Sequence, residues 1–223
     1  MPYRNKKKTK RKTYRKRRRQ SQRTAMTTPS GMPLARTTNL RYCDSITLNS
    51  TSGVLGRRLF RANSVFDPDY SGTGHQPMGF DQWALLYNHY VVKGSKITVT
   101  FRNNDGNNVS EFPSAVGIYL SDSPTTSYTN YTSLVEARRG SHRMLQHFQT
   151  PKISGYFSAK KFYNITNIKD NFSRLGATTG ANPTEDAYYN VYYQALGTTG
   201  AISIDVVIDY VVEFSEPKDL APS

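Results

Sequence analysis

The sequence predicts an all-β protein: a single eight-stranded antiparallel jelly roll, a sandwich of two sheets, with one short helix and a disordered basic N-terminal arm. Three observations carry that expectation. Apolar residues recur at every second position in several segments, no βαβ rhythm is present, and the excess positive charge stands entirely before Asp44.

The arm comes first. Between Met1 and Cys43 there are 15 Lys+Arg and no acid, and from Asp44 onward 15 Lys+Arg meet 16 acids, so an arm of +15 and a body of −1 make up the net +14. The cations are Arg4, Lys6, Lys7, Lys8, Lys10, Arg11, Lys12, Arg15, Lys16, Arg17, Arg18, Arg19 and Arg23, followed by Arg36 and Arg41. Like charges this dense repel one another, and only Tyr3 and Tyr14 offer apolar surface among them, so no self-contained fold is expected there. Pro29 and Pro33 then bar a continuing helix. Residues 1–39 are therefore expected to be arm and linker, and residues 40–223 the jelly-roll body, opening near Leu40.

Within the body, Ser45–Asn49 and Arg57–Val65 read as short strands. Gly79–Asn88 breaks the rhythm, because Phe80, Trp83, Ala84 and Tyr87 recur at i, i+3, i+4 and i+7. This is the one short helix, with Phe80, Trp83 and Tyr87 as its core anchors. Lys96–Arg102 alternates with its odd positions inward, and Ala115–Ser121, His142–His147 and Ile153–Ser158 follow as weaker strands. Ala187–Ala195 sets Tyr189, Val191 and Tyr193 against Tyr188, Asn190 and Tyr192, residue types that favour a pleated surface. From Ile202 to Phe214 every even position is apolar, the mark of a long strand with one face in a core. Asp205, Asp209 and Glu213 fall on its other face with Val207 and Val211, a face that is solvated or contacts a neighbouring subunit. About eight antiparallel strands in this length suit a jelly roll better than an immunoglobulin fold, whose Cys…Trp…Cys core is missing.

Composition excludes several functions. Cys43 is the only cysteine, which rules out an intrachain disulfide and multi-cysteine zinc sites. No apolar run suggests a signal peptide or a membrane span. His142 and His147, five apart on an expected strand, point to opposite faces and cannot grip one metal. His75 and His89 lack a catalytic context. Asp67, Asp69, Ser71 and Gly72 mimic the first half of a calcium loop, but its twelfth position is Met78 where a bidentate Glu is required. Gly72-Thr73-Gly74 is no dinucleotide fingerprint, since Pro77 takes the third glycine's place. No enzyme, cofactor or metal is expected.

Arm chemistry points to polyanions. Lys and Arg at this density neutralise phosphates and release counterions, which gives sequence-blind, salt-sensitive binding. The clusters Lys6–Lys12 and Arg15–Arg19 also suit a nuclear localisation signal. Tyr3 and Tyr14 can stack on the unpaired bases of a single strand.

The segment Arg61-Ala-Asn-Ser-Val-Phe-Asp-Pro-Asp-Tyr-Ser-Gly-Thr-Gly-His-Gln-Pro-Met-Gly-Phe-Asp-Gln-Trp83, followed by Tyr87-Asn-His-Tyr-Val-Val92 and Gly94–Phe101, resembles the capsid (coat) proteins of circovirus-like viruses, whose small circular single-stranded DNA genomes encode a replication initiator. In looser form the resemblance runs from the arm to about Pro217. It implies a single jelly roll that assembles with itself into a T=1 icosahedral shell of sixty copies. The arms would lie inside on the single-stranded DNA genome, and the chain would be found in the virion and, through host nuclear import receptors, in the host nucleus. Capsids of this family also attach to host cell-surface glycans. The mixed Lys and Arg of this arm departs from the more purely arginine-rich arms of the best-known circoviruses. The alternative is a non-viral nucleic-acid-binding β module with a basic tail, whose tyrosine-rich strands would form an exposed stacking face.

Overall fold

The sequence's clearest alternation becomes its longest strand. In the computed structural model, which describes residues 32–51, 54–103, 113–125, 128–136, 139–146, 149–197 and 200–219, the final strand spans Gly200–Pro217. Its even side chains from Ile202 through Ile204, Val206, Ile208, Tyr210 and Val212 to Phe214 are all fully buried. Burying an aliphatic or aromatic side chain of this size is worth about 1.5–3 kcal/mol, so this row alone fixes which way the strand faces.

In chain order the strands are β1 (Ala35–Ser50), β2 (Gly56–Arg61), β3 (Tyr87–Asn103), β4 (Ser114–Ser121), β5 (Gly140–Leu145), β6 (Lys152–Ser158), the short β7 (Gly176–Thr178), β8 (Tyr188–Ala195) and β9 (Gly200–Pro217). One sheet runs β1-β9-β3-β6 with β7 on the flank of β3, and the other runs β2-β8-β4-β5. Every pairing is antiparallel. With β7 set aside, eight strands divide four and four between two sheets in the order that two interleaved Greek keys produce, which is the jelly roll. The core lies between the sheets, where Ile97, Val99 and Phe101 of β3 and Tyr189, Val191 and Tyr193 of β8 join the row from β9.

Several boundaries differ from the sequence reading, each for a local reason. β1 opens at Ala35 rather than near Leu40, because Ala35–Asn39 pair with Val211–Ser215 although their outward side chains are exposed. The helix α1 (Phe80–Leu86) is shorter than expected: Tyr87 turns extended and begins β3, keeping its ring in the core. β2 stops at Arg61 instead of Val65. There the Arg61 amide donates to the Pro68 carbonyl and the Ala62 amide to that of Ala187, so Ala62–Val65 are buried as irregular chain. Additional short helices are α2 (Tyr131–Glu136), α3 (Ala159–Phe162) and α4 (Phe172–Leu175), with a 3₁₀ turn at Lys169–Asn171. Only Leu134 of α2 is fully buried, too little for a periodic signal. Its start is marked by Asn130, whose Oδ1 accepts from the Ser133 amide at 3.0 Å as an N-cap does.

Candidate functional site

The arm cations from Arg4 to Arg23 lie outside the described residues. What the structure places is the chain just after them. Met32 packs against the core, the Tyr87 hydroxyl donates to the Pro33 carbonyl at 3.1 Å, and the Glu216 amide donates to the Leu34 carbonyl at 3.1 Å. Residues 32–34 are thereby tied to the end of the five-stranded sheet beside α1.

Of the three expected anchors, Phe80 and Tyr87 are buried and Trp83 is half-buried. All three meet Phe214 of β9. Trp83 stacks on it at 5.5 Å between ring centroids, and Phe80 and Tyr87 lie tilted at 6.2 Å. An aromatic at the end of the alternating row of β9 is what makes the helix dock.

The segment that carries the family resemblance, 61–83, folds into an ion-paired loop. Asp69 is fully buried and pairs with Arg58, while its Oδ1 accepts from the Ser71 amide at 3.0 Å. Arg61 reaches Asp67 at 2.8 Å and Asp186 at 3.1 Å, and its guanidinium lies 5.0 Å from the Tyr70 ring centroid. Burial works against the charge of Arg61, but the hydrogen bond and charge of Asp186, with Asp67, more than offset it and hold the guanidinium pKa above its ordinary value. The carboxylates that imitate a calcium loop are thus partners of arginines. Gly74 lets the loop close, since a Cβ there would sit 2.7 Å from the Asp69 Cβ. Among the described residues no three metal-ligating side chains converge. His142 lies on exposed β5, and His147 lies outside the described residues. His75 stacks on Tyr42 at 4.8 Å, and His89 bonds Glu216 at 2.7 Å.

The two outward faces of the sandwich are unlike. On the four-stranded sheet, Tyr188, Asn190, Tyr192 and Gln194 point away from the core yet are buried. The β4–β5 connection covers them: Arg57 bonds both Asn190 and the Pro124 carbonyl, and the Tyr131 amide donates to Gln194 at 2.6 Å. Tyr70 packs edge-on against Tyr188 at 5.4 Å. Tyr192 lies over Gly117, where a Cβ would come within 2.3 Å of its hydroxyl. The tyrosines of β8 therefore form no exposed stacking face.

The five-stranded sheet keeps its outward face open. Arg41 bonds Asp209 at 2.6 Å, Arg102 bonds Asp205 at 2.6 Å, and Lys93 pairs with Glu213. Burial pushes the Glu213 carboxyl up, but the Lys93 ammonium more than compensates and its pKa ends below the usual range. The acids of β9, read as a solvated or contact face, are thus bridged to cations on β1 and β3. Tyr156 of β6 stands 69% exposed, with the Lys96 ammonium 5.4 Å from its ring centroid. Between them runs a groove of about 510 Å³ bordered by Asn39, Arg41, Gly94 and Val211.

No family model and no curated protein matches the chain. Among solved structures it is similar to that of Desmodium yellow mottle tymovirus, at 16% identity and a TM-score of 0.42, covering 91% of this chain and 99% of that one. It is also similar to the semi-empty VLP of the giant freshwater prawn Macrobrachium rosenbergii nodavirus, at 13% identity and a TM-score of 0.46, with 87% of this chain and 100% of that one covered. The 60-mer BFDV capsid protein is 10% identical with a TM-score of 0.43, over 86% of this chain and 100% of that one.

Proposed function

We propose that this chain is a viral coat protein that assembles with copies of itself into a closed T=1 icosahedral shell of sixty subunits and packages circular single-stranded DNA. The cations between Arg4 and Arg23 would hold the genome, and the clusters Lys6–Lys12 and Arg15–Arg19 would also direct the chain to the nucleus. On this reading the residues before β1 are the arm and linker, ending at 34 rather than 39, and the remainder is the shell-forming domain. One observation carries it: the 13 cations from Arg4 to Arg23, without an acid among them, precede a jelly-roll body of nearly zero charge. With sixty arms facing one cavity, roughly 800 positive charges must be compensated, so a shell without polyanion would repel itself. Packaging and closure are then a single coupled event, while the neutral body lets subunits pack without that repulsion.

Electron microscopy of the purified full-length protein, with ultraviolet absorbance before and after high salt, tests the reading. Uniform closed shells that carry nucleic acid are expected. A small nucleoprotein complex that releases its nucleic acid in salt, and forms no shell even with added single-stranded DNA, would overturn it.

A further inference from the structure

We propose that the open face of the five-stranded sheet is a second binding site for single-stranded nucleic acid, centred on Tyr156 and Lys96. This deepens the coat-protein reading and rests on it. An unpaired base would stack on the Tyr156 ring while flanking phosphates meet Lys96 and Lys152.

The register of β6 is what presents the ring. Phe157 is buried and Ile153 nearly so, which turns Tyr156 outward by the two-residue period of a strand. A large aromatic left exposed beside an ammonium, at 5.4 Å from its centroid, has the two elements of a single-strand platform: a π-face that accepts any base and a cation for the backbone. Gly94 gives the groove a backbone floor, opening it between Tyr156 and Val211. Charge favours a polyanion. Asp205, Asp209 and Glu213 are each bridged to a cation, and among the described residues Lys96 and Lys152 have no carboxylate partner. Beyond Lys93 the face continues into a cleft of about 220 Å³ with Lys160 at its rim and Lys169 paired to Glu213 at 3.6 Å. A second copy of the chain suits this surface less well, because Val207 and Val211 are the only large aliphatics between its charges on β9 and they do not make a dry apolar patch.

Connectivity adds to the case. Asn39 and Arg41 border the groove and belong to β1, whose first residue, Ala35, lies four residues before Asn39, roughly 13 Å of strand. A strand already held by the arm is thereby presented to the groove at high effective concentration.

The test is photocrosslinking of the full-length protein to a short oligothymidine, with the modified peptides identified by mass spectrometry. A crosslink on the peptide containing Tyr156 is expected, and none when the same sequence is presented as a duplex. At salt high enough to weaken the arm, Tyr156→Ala should lower affinity for the oligonucleotide about tenfold, and Tyr156→Phe should leave it unchanged. Unchanged circular dichroism of both variants would verify their fold. Crosslinks confined to residues 1–31, or equal affinity of the Ala and Phe variants, would overturn the site. So would a Tyr156→Ala variant whose self-association changes without nucleic acid while its oligonucleotide affinity does not, since the face would then join copies of the chain. Shells that package DNA with Tyr156 unlinked would sink this site alone. A crosslink at Tyr156 without shells would uphold the site and overturn the coat-protein reading instead.

Discussion

Phe80 and Trp83 share Phe214 as a neighbour but differ in exposure, and that difference sets what each is worth. Phe80→Ala should cost about 3–5 kcal/mol, the usual loss for a buried aromatic, and Trp83→Ala nearer about 2 kcal/mol because part of its ring is already in water. Chemical denaturation of the two variants would measure both; equal losses would mean that Trp83 is as enclosed as Phe80. Arginines differ in the same way. Arg61 is held between Asp67 and Asp186 with a side chain only 10% exposed, so Arg61→Ala strands two partly buried carboxylates and should cost about 3 kcal/mol. Arg174 makes two 2.6 Å bonds to Glu185 in solvent, and its loss should leave stability nearly unchanged. Thermal melts of the pair would check the contrast, and a silent Arg61→Ala would show the loop to be held by other contacts.

At the scale of elements, the decisive joint is between β1 and β9, which pair along the whole of β1. Removing residues 1–31 should leave this ladder intact, giving a folded β body that co-purifies with far less nucleic acid. A cut through Tyr42 removes the inward Leu40 and Tyr42 and bares the edge of β9, so aggregation is expected. Circular dichroism and light scattering of the two truncations would separate these outcomes. The same joint explains what the sequence disclosed. β9 was legible because its even positions are uninterrupted apolar residues facing one core. The first residues of β1 were not, since Arg36, Thr37 and Asn39 are polar and exposed, and only pairing with β9 makes them strand. The helix was legible from Phe80, Trp83 and Tyr87, yet Tyr87 satisfied both the helical spacing and the first inward position of β3, so the boundary fell too late. Neither the cover over β8 nor the ion pairs of β9 could be read from the sequence, because Arg57 and Asn190, or Arg41 and Asp209, meet across more than a hundred residues.

The whole molecule is unusually dependent on neutral tyrosines. Burial is the main cause holding Tyr42, Tyr90, Tyr189 and Tyr210 above their ordinary range, and it alone pushes Tyr192 up to about 12. The unfolded chain releases these protons near pH 10 and the folded one does not, so the stabilisation is complete below pH 10 and is lost as pH rises toward about 12. The tyrosinate absorbance of these buried rings, the fraction beyond that of solvent-exposed tyrosines, should therefore appear together with the loss of the β-sheet circular dichroism signal; all 16 tyrosines ionising while the fold persists would show those rings to be open to water. The geometry at the root of the arm has a mechanical consequence as well. Ala35 pairs with Ser215 and Ser50 with Gly200, so a pull on the arm along the axis of β1 loads sixteen residue pairs together, in shear, instead of peeling them one by one. A strand tethered in this way transmits tension to β9, the longest strand of the body, so a load on the residues before Ala35 is shared along the whole ladder.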